Sequence, residues 1–263
     1  MTATEKLDEL RSILRSMGSV ALAYSGGTDS GLLLKVAKEE LGDKVVAFTA
    51  VSASFPSYER EKARELAASI GAEMVELPTD EISLEEYARN DAKRCYHCKR
   101  LILQTIWSQS HARGLSMVVD GNNADDAKTS RPGLLAAKEM GTRSPLAEAD
   151  LTKSEVRELA RSFGLDNWDK PSSACLASRV PYGTRITGEL LERIERAEDA
   201  VRTIGVTQLR VRAHDDIARI EVLPEEFAML ISDADGLVRE LKELGFKYVA
   251  LDLEGFRSGS LDD

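Results

Sequence analysis

The stretch that decides the fold lies near the N-terminus and reads Val20-Ala21-Leu22-Ala23-Tyr24-Ser25-Gly26-Gly27-Thr28-Asp29-Ser30. Its first four residues form an apolar run that predicts a buried strand, and the residues from Gly31 onward predict a helix. A strand that turns through two glycines into a helix leaves backbone N–H groups pointing outward at the positive end of the helix dipole. The sequence therefore predicts an anion site suited to phosphate, to which Ser25, Thr28 and Ser30 add hydroxyl donors.

The order of residues in this loop separates it from other phosphate loops. It lacks the spacing and the lysine of the Walker loop, and it is not G-x-G-x-x-G. Ser25 to Ser30 resembles the S-G-G-x-D-S loop of the ATP pyrophosphatase (PP-loop) superfamily, whose members bind ATP and release pyrophosphate. Asp29 would repel a bare phosphate, so it indicates a bound cation or a role in orienting the loop. A plain Gly-Gly turn is the alternative that the pattern alone leaves open.

The composition is that of an ordinary soluble globular protein, with 43% hydrophobic and 30% charged residues among 263. The net charge of −10 argues against a nucleic-acid partner, which clustered Lys and Arg would bind. No apolar stretch approaches the roughly 18 residues of a membrane helix, and no signal peptide is evident, so no membrane association is expected. Three cysteines do not resemble a secreted disulfide framework, so we expect a cytoplasmic protein.

Predicted strands and helices alternate along the first part of the chain. Val45–Val51 reads as a second strand, and a helix begins at Pro56 and ends at Gly71. Further strands are predicted over 72–77 and 116–120. This alternation predicts an α/β fold with a parallel, doubly wound sheet of the PP-loop type, in which ligands bind at the carboxyl ends of the strands.

From residue 187 the pattern changes to that of a small C-terminal α+β domain. A long helix is followed by two alternating segments joined by a turn, a helical region and a last strand. This αββαβ order predicts a separate antiparallel sheet. We place the two domains at 1–183 and 184–263, and the small one is expected to bind substrate or to mediate oligomerisation.

The cysteines leave four interpretations open. Cys95 and Cys98 form a C-x-x-C, and Cys175 follows much later. A thioredoxin-like dithiol is disfavoured by its position in the chain, and structural zinc needs four ligands, for which His97 inside the motif is poorly placed. Two surface thiols with a buried Cys175 is the simplest alternative. Three thiolates on a [4Fe–4S] cluster would leave one iron without a protein ligand, able to take an exogenous sulfide.

Two polar segments are further candidates for a site. One follows the strand at 116–120 and runs from Gly121 to Arg131; its carboxylates and amides suit a metal or sugar hydroxyls, although a solvated loop remains open. The other, from Trp168 to Arg179, is dense in reactive and charged groups, which is more typical of functional loops than of connections.

Together, three motifs resemble the LarE family of sulfur transferases, which serve synthesis of the nickel-pincer cofactor of lactate racemase. They are Ser25–Ser30, the segment from Gly121-Asn122 to Arg131-Pro132-Gly133, and Trp168-Asp169-Lys170-Pro171-Ser172-Ser173-Ala174-Cys175-Leu176 with Ser178-Arg179. The resemblance implies that ATP adenylates a carboxylate of a pyridinium 3,5-dicarboxylate mononucleotide and that pyrophosphate leaves. A sulfur donor then displaces AMP to give a thiocarboxylate, and the second carboxylate is treated likewise.

The resemblance also implies how sulfur arrives. One branch of the family sacrifices the sulfur of the cysteine at the position of Cys175. Another uses a [4Fe–4S] cluster that carries sulfide. Because this chain has Cys95 and Cys98, it resembles the cluster branch.

The implied site has four parts. The catalytic residues are Cys175, Asp29 and Ser30; ATP, with Mg²⁺, is bound by Ser25, Gly26, Gly27, Thr28, Asp29, Ser30, Thr49, Asp125 and Arg131; the cluster is bound by Cys95, Cys98 and Cys175; and the substrate is bound by Ser178, Arg179, Arg210 and Arg212. The expected partners are a sulfide source, other proteins of pincer-cofactor synthesis and further copies of the chain.

Several charged residues of the C-terminal part have more than one possible partner. Arg210 and Arg212 alternate on one strand and so point the same way, toward the anionic mononucleotide or a neighbouring subunit. Glu195, Glu198 and Glu221 suit metal or inter-subunit contacts, but a solvated charged face is the simpler expectation.

Other functions remain open. A tRNA thiolase combines this loop with cysteines but needs a basic surface. A ligase such as a synthetase of NAD or GMP needs no cysteines. A non-enzymatic sensor of adenine nucleotides would use the loop only for binding.

Overall fold

The computed structural model describes residues 1–129, 131–171 and 174–257. The chain divides into one unit formed by Met1–Glu81 and Ala92–Ser173 and another formed by Ile82–Asp91 and Ala174–Asp263. Within the described ranges, no helix is long and apolar enough to cross a membrane.

The first unit is built on a parallel sheet of four strands in the order β3-β2-β1-β4. Its strands are β1 (Val20–Ala23), β2 (Val45–Val51), β3 (Glu73–Pro78) and β4 (Met117–Asp120). The chain moves outward from β1 to β3 and then returns to the other side of β1. The strand order therefore reverses between β1 and β4, which is where ligands bind in open parallel sheets. The predicted α/β class is confirmed.

Helices cover both faces of this sheet. They are α1 (Ala3–Met17), α2 (Thr28–Leu41), α3 (Ser57–Ile70), α5 (Arg94–Ala112), α6 (Ala124–Ala127), α7 (Pro132–Glu139), α8 (Pro145–Glu148) and α9 (Lys153–Ser162). Successive β1 side chains point to opposite faces, so Val20 and Leu22 pack with α1, α2 and α9, whereas Ala21 packs with α5. The predicted capping box of Thr152 and Glu155 is present at the start of α9.

The polar segment after β4 is more ordered than the sequence suggested. Asn123 caps the short α6, with its side chain accepting from two backbone N–H groups. Arg131 then caps α7, and Pro132 occupies the first turn of that helix. This is a position where proline costs no hydrogen bond.

The second unit holds a mixed sheet in the order β5-β6-β7. Its strands are β5 (Leu209–His214), β6 (Ile217–Val222) and β7 (Tyr248–Leu251), and its helices are α4 (Glu85–Ala88), α10 (Gly188–Thr203), α11 (Phe227–Ser232) and α12 (Ala234–Glu243). β5 and β6 form the predicted hairpin, but β7 pairs parallel to β6. The expectation of an antiparallel sheet is wrong for β7, because α11 and α12 form a crossover that returns the chain in the same direction.

The second unit also includes a segment from the first half of the chain. Asn90 donates through its side chain to the carbonyls of Val180, Pro181 and Thr184. These bonds fasten Ile82–Asp91 to the chain that precedes α10. The second unit is therefore made of two separate stretches of the chain, whereas the sequence predicted a single boundary between 183 and 184. Long-range hydrogen bonds of this kind leave no sign in local periodicity, so the first stretch could not be assigned from the sequence.

Candidate functional site

The loop between β1 and α2 has a backbone that requires glycine. Gly26 has φ of +71°, and a Cβ there would lie 2.6 Å from the Cβ of Ala63. Gly27 is the N-cap residue of α2, and as a glycine it has no side chain that could accept from the first N–H groups of this helix. The Thr49 hydroxyl donates to the Tyr24 carbonyl at 2.9 Å, which fixes the start of the loop from β2. The first N–H groups of α2 thus face outward at the carboxyl edge of the sheet.

The three loop hydroxyls have different surroundings. Thr28 is buried and donates to the backbone carbonyl of Asn167 at 2.7 Å. Ser30 is also buried and donates to the carbonyl of Gly27 at 3.2 Å. Ser25 is exposed and lies 3.2 Å from the Ser30 hydroxyl. Ser25 is therefore the hydroxyl best placed to meet a ligand, whereas Thr28 shapes the loop.

Asp29 is held by two residues from other elements. Its Oδ1 accepts from the side-chain amide of Asn123 at 3.1 Å, and its Oδ2 forms an ion pair with Lys153. The backbone N–H of Lys153 donates to Asp125 at 2.9 Å. This bond, followed by the contact with Lys128, holds the pKa of Asp125 below its usual range. A lysine ammonium thus lies at the start of α2, beside the loop.

The end of β4 packs directly against the start of α2. A Cβ at Gly121 would lie 2.9 Å from the backbone nitrogen of Ser30, so only glycine allows this approach. The preceding residue, Asp120, is buried, and its carboxylate lies 3.5 Å from the ammonium of Lys99 on α5. The residues around the switch point of the sheet are therefore in close contact.

Arg131 and Asp125 lie at the surface near α6. The Arg131 side chain is 68% exposed and forms an ion pair with Asp126 at 3.1 Å. A guanidinium this exposed can leave a carboxylate for a phosphate at little cost. Its predicted role in binding ATP stays a prediction.

The C-x-x-C motif forms the first turn of α5. Cys95 is exposed, whereas Cys98 is partly buried with its Sγ 3.9 Å from Oε1 of Glu81. Glu81 is buried and also accepts from the hydroxyls of Ser52 at 2.7 Å and Thr79 at 3.1 Å. Ser52 and Thr79 follow the ends of β2 and β3. The thiol pair therefore lies at the same edge of the sheet as the nucleotide loop.

The third cysteine belongs to the second unit. Cys175 caps the short 3-10 helix Leu176–Arg179, and its carbonyl accepts from the guanidinium of Arg179 at 3.3 Å. Ser172 and Ser173, which belong to the same motif, lie outside the described residues. All three cysteines are thiols, and among the described residues no group of three or more His, Cys, Asp or Glu is arranged to hold a metal.

Two buried ion pairs organise the second unit. Arg179 binds both carboxylate oxygens of Glu198, at 2.7 and 3.2 Å. Arg212 does the same with Glu221, at 3.0 Å for each bond, and also donates to the Ser178 carbonyl at 2.6 Å. The expectation of a solvated face for Glu198 and Glu221 is wrong, because both are buried as partners of arginines.

Arg210 differs from these two arginines. It is 5% exposed, lies over the ring of Phe256 at 4.7 Å and donates to the Arg257 carbonyl at 3.4 Å. Burial, followed by repulsion from Arg179 and Arg212, lowers the pKa of Arg210 to about 10. Among the described residues it forms no ion pair with a carboxylate, although the charges of Glu221 and Glu198 attract it and partly oppose the lowering of its pKa.

Sequence reasoning missed three residues at the first unit's site: Lys153, Asn167 and Glu81. Each reaches the site from an element distant in sequence. For Lys153 a signal existed, since a lysine stands in the first turn of a helix, where a cation is unfavourable unless it has another role.

The comparisons with known proteins agree with this geometry. Residues 7–167 match the family model described as asparagine synthase. The chain is 39% identical over 263 residues to the pyridinium-3,5-bisthiocarboxylic acid mononucleotide synthase of Lactiplantibacillus plantarum, covering 100% of this chain and 95% of that protein. It is 44% identical over 259 residues to an uncharacterized protein of Synechocystis sp., covering 98% and 97%. With argininosuccinate synthase of Haloarcula marismortui it shares 29% identity over 159 residues, which are 56% of this chain and 38% of that protein.

Proposed function

Because the chain belongs to the PP-loop superfamily and, within it, to the LarE family, we propose that it is an ATP-dependent sulfur transferase. It converts both carboxylates of pyridinium-3,5-biscarboxylic acid mononucleotide to thiocarboxylates. The observation that carries this proposal is the loop from Ser25 to Ser30, which opens α2 at the switch point of the sheet. One relative, 39% identical over 100% of this chain and 95% of its own length, is a synthase of the corresponding bisthiocarboxylic acid mononucleotide.

The first half of the reaction is activation. A substrate carboxylate oxygen attacks the α-phosphorus of ATP, and the bond to the bridging oxygen breaks to release pyrophosphate. The outward N–H groups of α2 bind the phosphates, and Lys153 neutralises charge that develops on the leaving pyrophosphate. Asp29 and Asp125 offer carboxylate oxygens, the donors that Mg²⁺ prefers, and Mg²⁺ there would supply further charge neutralisation.

The surroundings of Arg210 favour an anionic substrate. Its buried guanidinium has an aromatic ring and a carbonyl as neighbours, and two further arginines close by. A phosphate or carboxylate of the mononucleotide would compensate this charge. Arg179 and Arg212 are occupied by Glu198 and Glu221, so they position the surrounding backbone, including Ser178.

The second half is sulfur delivery. A sulfur nucleophile attacks the acyl carbon of the adenylate, the carbon–oxygen bond to AMP breaks, and AMP leaves with the electron pair. The Cys95, Cys98 and Cys175 thiolates are the soft ligands that suit a [4Fe–4S] cluster, which would supply transferable sulfide. Sacrifice of the Cys175 sulfur, leaving dehydroalanine, is the alternative.

Pyrophosphate release tests the function. We expect release from Mg-ATP to require the biscarboxylic mononucleotide and, when sulfide is supplied to the reconstituted protein, to yield AMP in equal amount. Unmodified tRNA is the matched comparison, because it would be the substrate of a thiolase of the same superfamily. Stimulation by tRNA alone would overturn the proposal, as would nucleotide binding without turnover. A homo-oligomeric state, a cytoplasmic location and other pincer-synthesis partners stay predictions from the sequence.

A further inference from the structure

Lys6, in the first turn of α1, is a lysine buried inside the first unit, with 7% of its surface exposed. Its ammonium lies 3.0 Å from Oε2 of Glu155 and 3.1 Å from Oδ2 of Asp150. It also donates to the backbone carbonyl of Asp150 at 2.5 Å. A lysine is seldom buried unless its charge is paired, and here three acceptors surround it. The ammonium of Lys6 therefore ties α1 to the start of α9.

The acceptors of Lys6 belong to a turn whose conformation needs support. Asp150 has φ of +54°, a left-handed conformation that costs free energy for a residue other than glycine. Lys6 binds both the carbonyl and the carboxylate of Asp150, which favours this conformation. Glu155 closes the capping box of α9, because its Oε2 also accepts from the backbone N–H and the hydroxyl of Thr152, at 2.8 Å each. Lys6 thus stabilises the turn before α9 and the first turn of that helix together.

Lys153 lies in the chain between the two residues that Lys6 binds, and it is the first residue of α9. Its backbone N–H donates to Oδ2 of Asp125 at 2.9 Å, and the carbonyl of Leu151 accepts from the N–H of Ala124 at 2.8 Å. Both bonds fasten the turn to α6. From this backbone the Lys153 ammonium reaches Asp29 at the nucleotide loop. The place of the ammonium therefore depends on where the turn is held.

We propose that Lys6 is a positioning residue of the activation site, which fixes the first turn of α9 so that the Lys153 ammonium stands at the phosphate-binding end of α2. The lysine ammonium is a point charge on a flexible stem, so a shift of the backbone moves it away from the phosphate it must meet. A misplacement of about 1 Å can lower a rate on the order of 100-fold. Lys6 acts through Lys153 and is not itself a ligand of ATP. The inference rests on the proposed function, in which Lys153 neutralises charge on the leaving pyrophosphate.

Binding of inorganic tripolyphosphate, measured by calorimetry at fixed ionic strength, tests this role. We expect Lys153→Met to raise the Kd about tenfold, the cost of one hydrogen bond to a charged group. Lys6→Met, which keeps the apolar stem, should raise the Kd by about threefold or more. Because Lys6 acts through Lys153, the double variant should bind no more weakly than Lys153→Met alone.

Arg15→Met is the matched control for Lys6→Met. It removes a cation from the same helix, where the Arg15 side chain is 58% exposed and pairs with Glu40 at 3.0 Å. An exposed pair of this kind contributes little, so the variant should bind tripolyphosphate as the wild-type protein does. A loss in Lys6→Met that is absent from Arg15→Met is therefore not a general effect of removing positive charge from α1.

Glu155→Gln separates positioning from simple electrostatics, and it tests the proposal if Lys6→Met fails to fold. Glutamine preserves the capping box but weakens the bond to the Lys6 ammonium. Loss of a negative charge alone would tighten tripolyphosphate binding, whereas a displaced Lys153 weakens it. We expect a Kd raised about threefold.

The proposal is overturned by tighter binding in Glu155→Gln, by additive losses in the double variant, or by an unchanged Kd in folded Lys6→Met or Lys153→Met. A lowered thermal midpoint of Lys6→Met with an unchanged Kd would show a role in stability alone. Tripolyphosphate binding needs neither the mononucleotide nor sulfur, so a failure of this inference is distinct from a failure of the sulfur-transfer function.

Discussion

Lys153 and Asp29 form an ion pair at the first turn of α2, although they lie in different helices of the first unit. The side chain of Lys153 is 35% exposed and that of Asp29 is 22% exposed. The ammonium therefore stands at the border between the loop and solvent. A phosphate bound to the N–H groups of α2 would meet a cation already in place.

Lys153→Met should disable activation more than folding. We expect kcat/KM for ATP in pyrophosphate release to fall about 100-fold, the usual cost of one lost donor to developing charge. Asp29 keeps the favourable helix dipole and the Asn123 bond, so the thermal midpoint should change little. Lys153→Arg, which retains the charge, is the control. Near-normal activity in the methionine variant would remove Lys153 from the mechanism.

Gly121→Ala should separate the end of β4 from the start of α2. The added methyl group would lie 2.9 Å from the Ser30 nitrogen, so we expect a loss of about 1–3 kcal/mol in unfolding free energy and weaker ATP binding. Urea unfolding and calorimetric titration measure the two effects. Gly188→Ala is the control, because a Cβ there meets nothing within 4 Å and the first turn of α10 accepts alanine. Equal behaviour of the two variants would contradict the close approach.

Arg210→Met should stabilise the protein and abolish its response to anions. The lowered pKa of about 10 means that the protonated guanidinium costs folding free energy at neutral pH, a cost relieved only as pH rises through that value. Removing the charge should raise the unfolding free energy at pH 7 by about 1–3 kcal/mol. Inorganic phosphate should stabilise the wild-type protein but not the variant. A destabilised variant that still responds to phosphate would show that the charge is compensated by other means.

Serine variants of the cysteines should separate the two halves of the reaction. After anaerobic reconstitution with iron and sulfide, we expect each of Cys95→Ser, Cys98→Ser and Cys175→Ser to lose the broad visible absorbance of a cluster and the thiocarboxylate product. Pyrophosphate release should persist for a single turnover, because the loop still forms the adenylate but no sulfur nucleophile displaces AMP from it. A cluster that survives in the Cys95 and Cys98 variants, with dehydroalanine forming at Cys175, would favour the sacrificial route.

The nucleotide loop was predictable because its determinants are local. An apolar strand, two glycines and a helical repeat follow one another between Val20 and Leu41, and the structure reproduces that order. The contacts of the loop were not predictable in this way. Asn167, Lys153 and Gly121 reach it through turns whose geometry depends on how the sheet and helices pack.

In the second unit, charge and periodicity alone do not decide whether a glutamate is buried or in which direction a strand runs. A glutamate in a helix is usually solvated, yet Glu198 follows the buried positions Ile194 and Ala197 of α10 and so lies on the same face. That spacing was a readable sign of burial. The direction of β7 left no such sign, since a strand has the same alternating pattern whether it runs parallel or antiparallel.

The proposed function requires that the carboxylates of the mononucleotide are activated by ATP and receive sulfur. Mass spectrometry of the mononucleotide after anaerobic incubation with ATP, sulfide and the reconstituted protein tests it most directly. We expect a mass increase that corresponds to exchange of one oxygen for sulfur and then of a second, with one AMP and one pyrophosphate formed per exchange. Pyrophosphate release with an unchanged mononucleotide, or thiolation that proceeds without ATP, would contradict it.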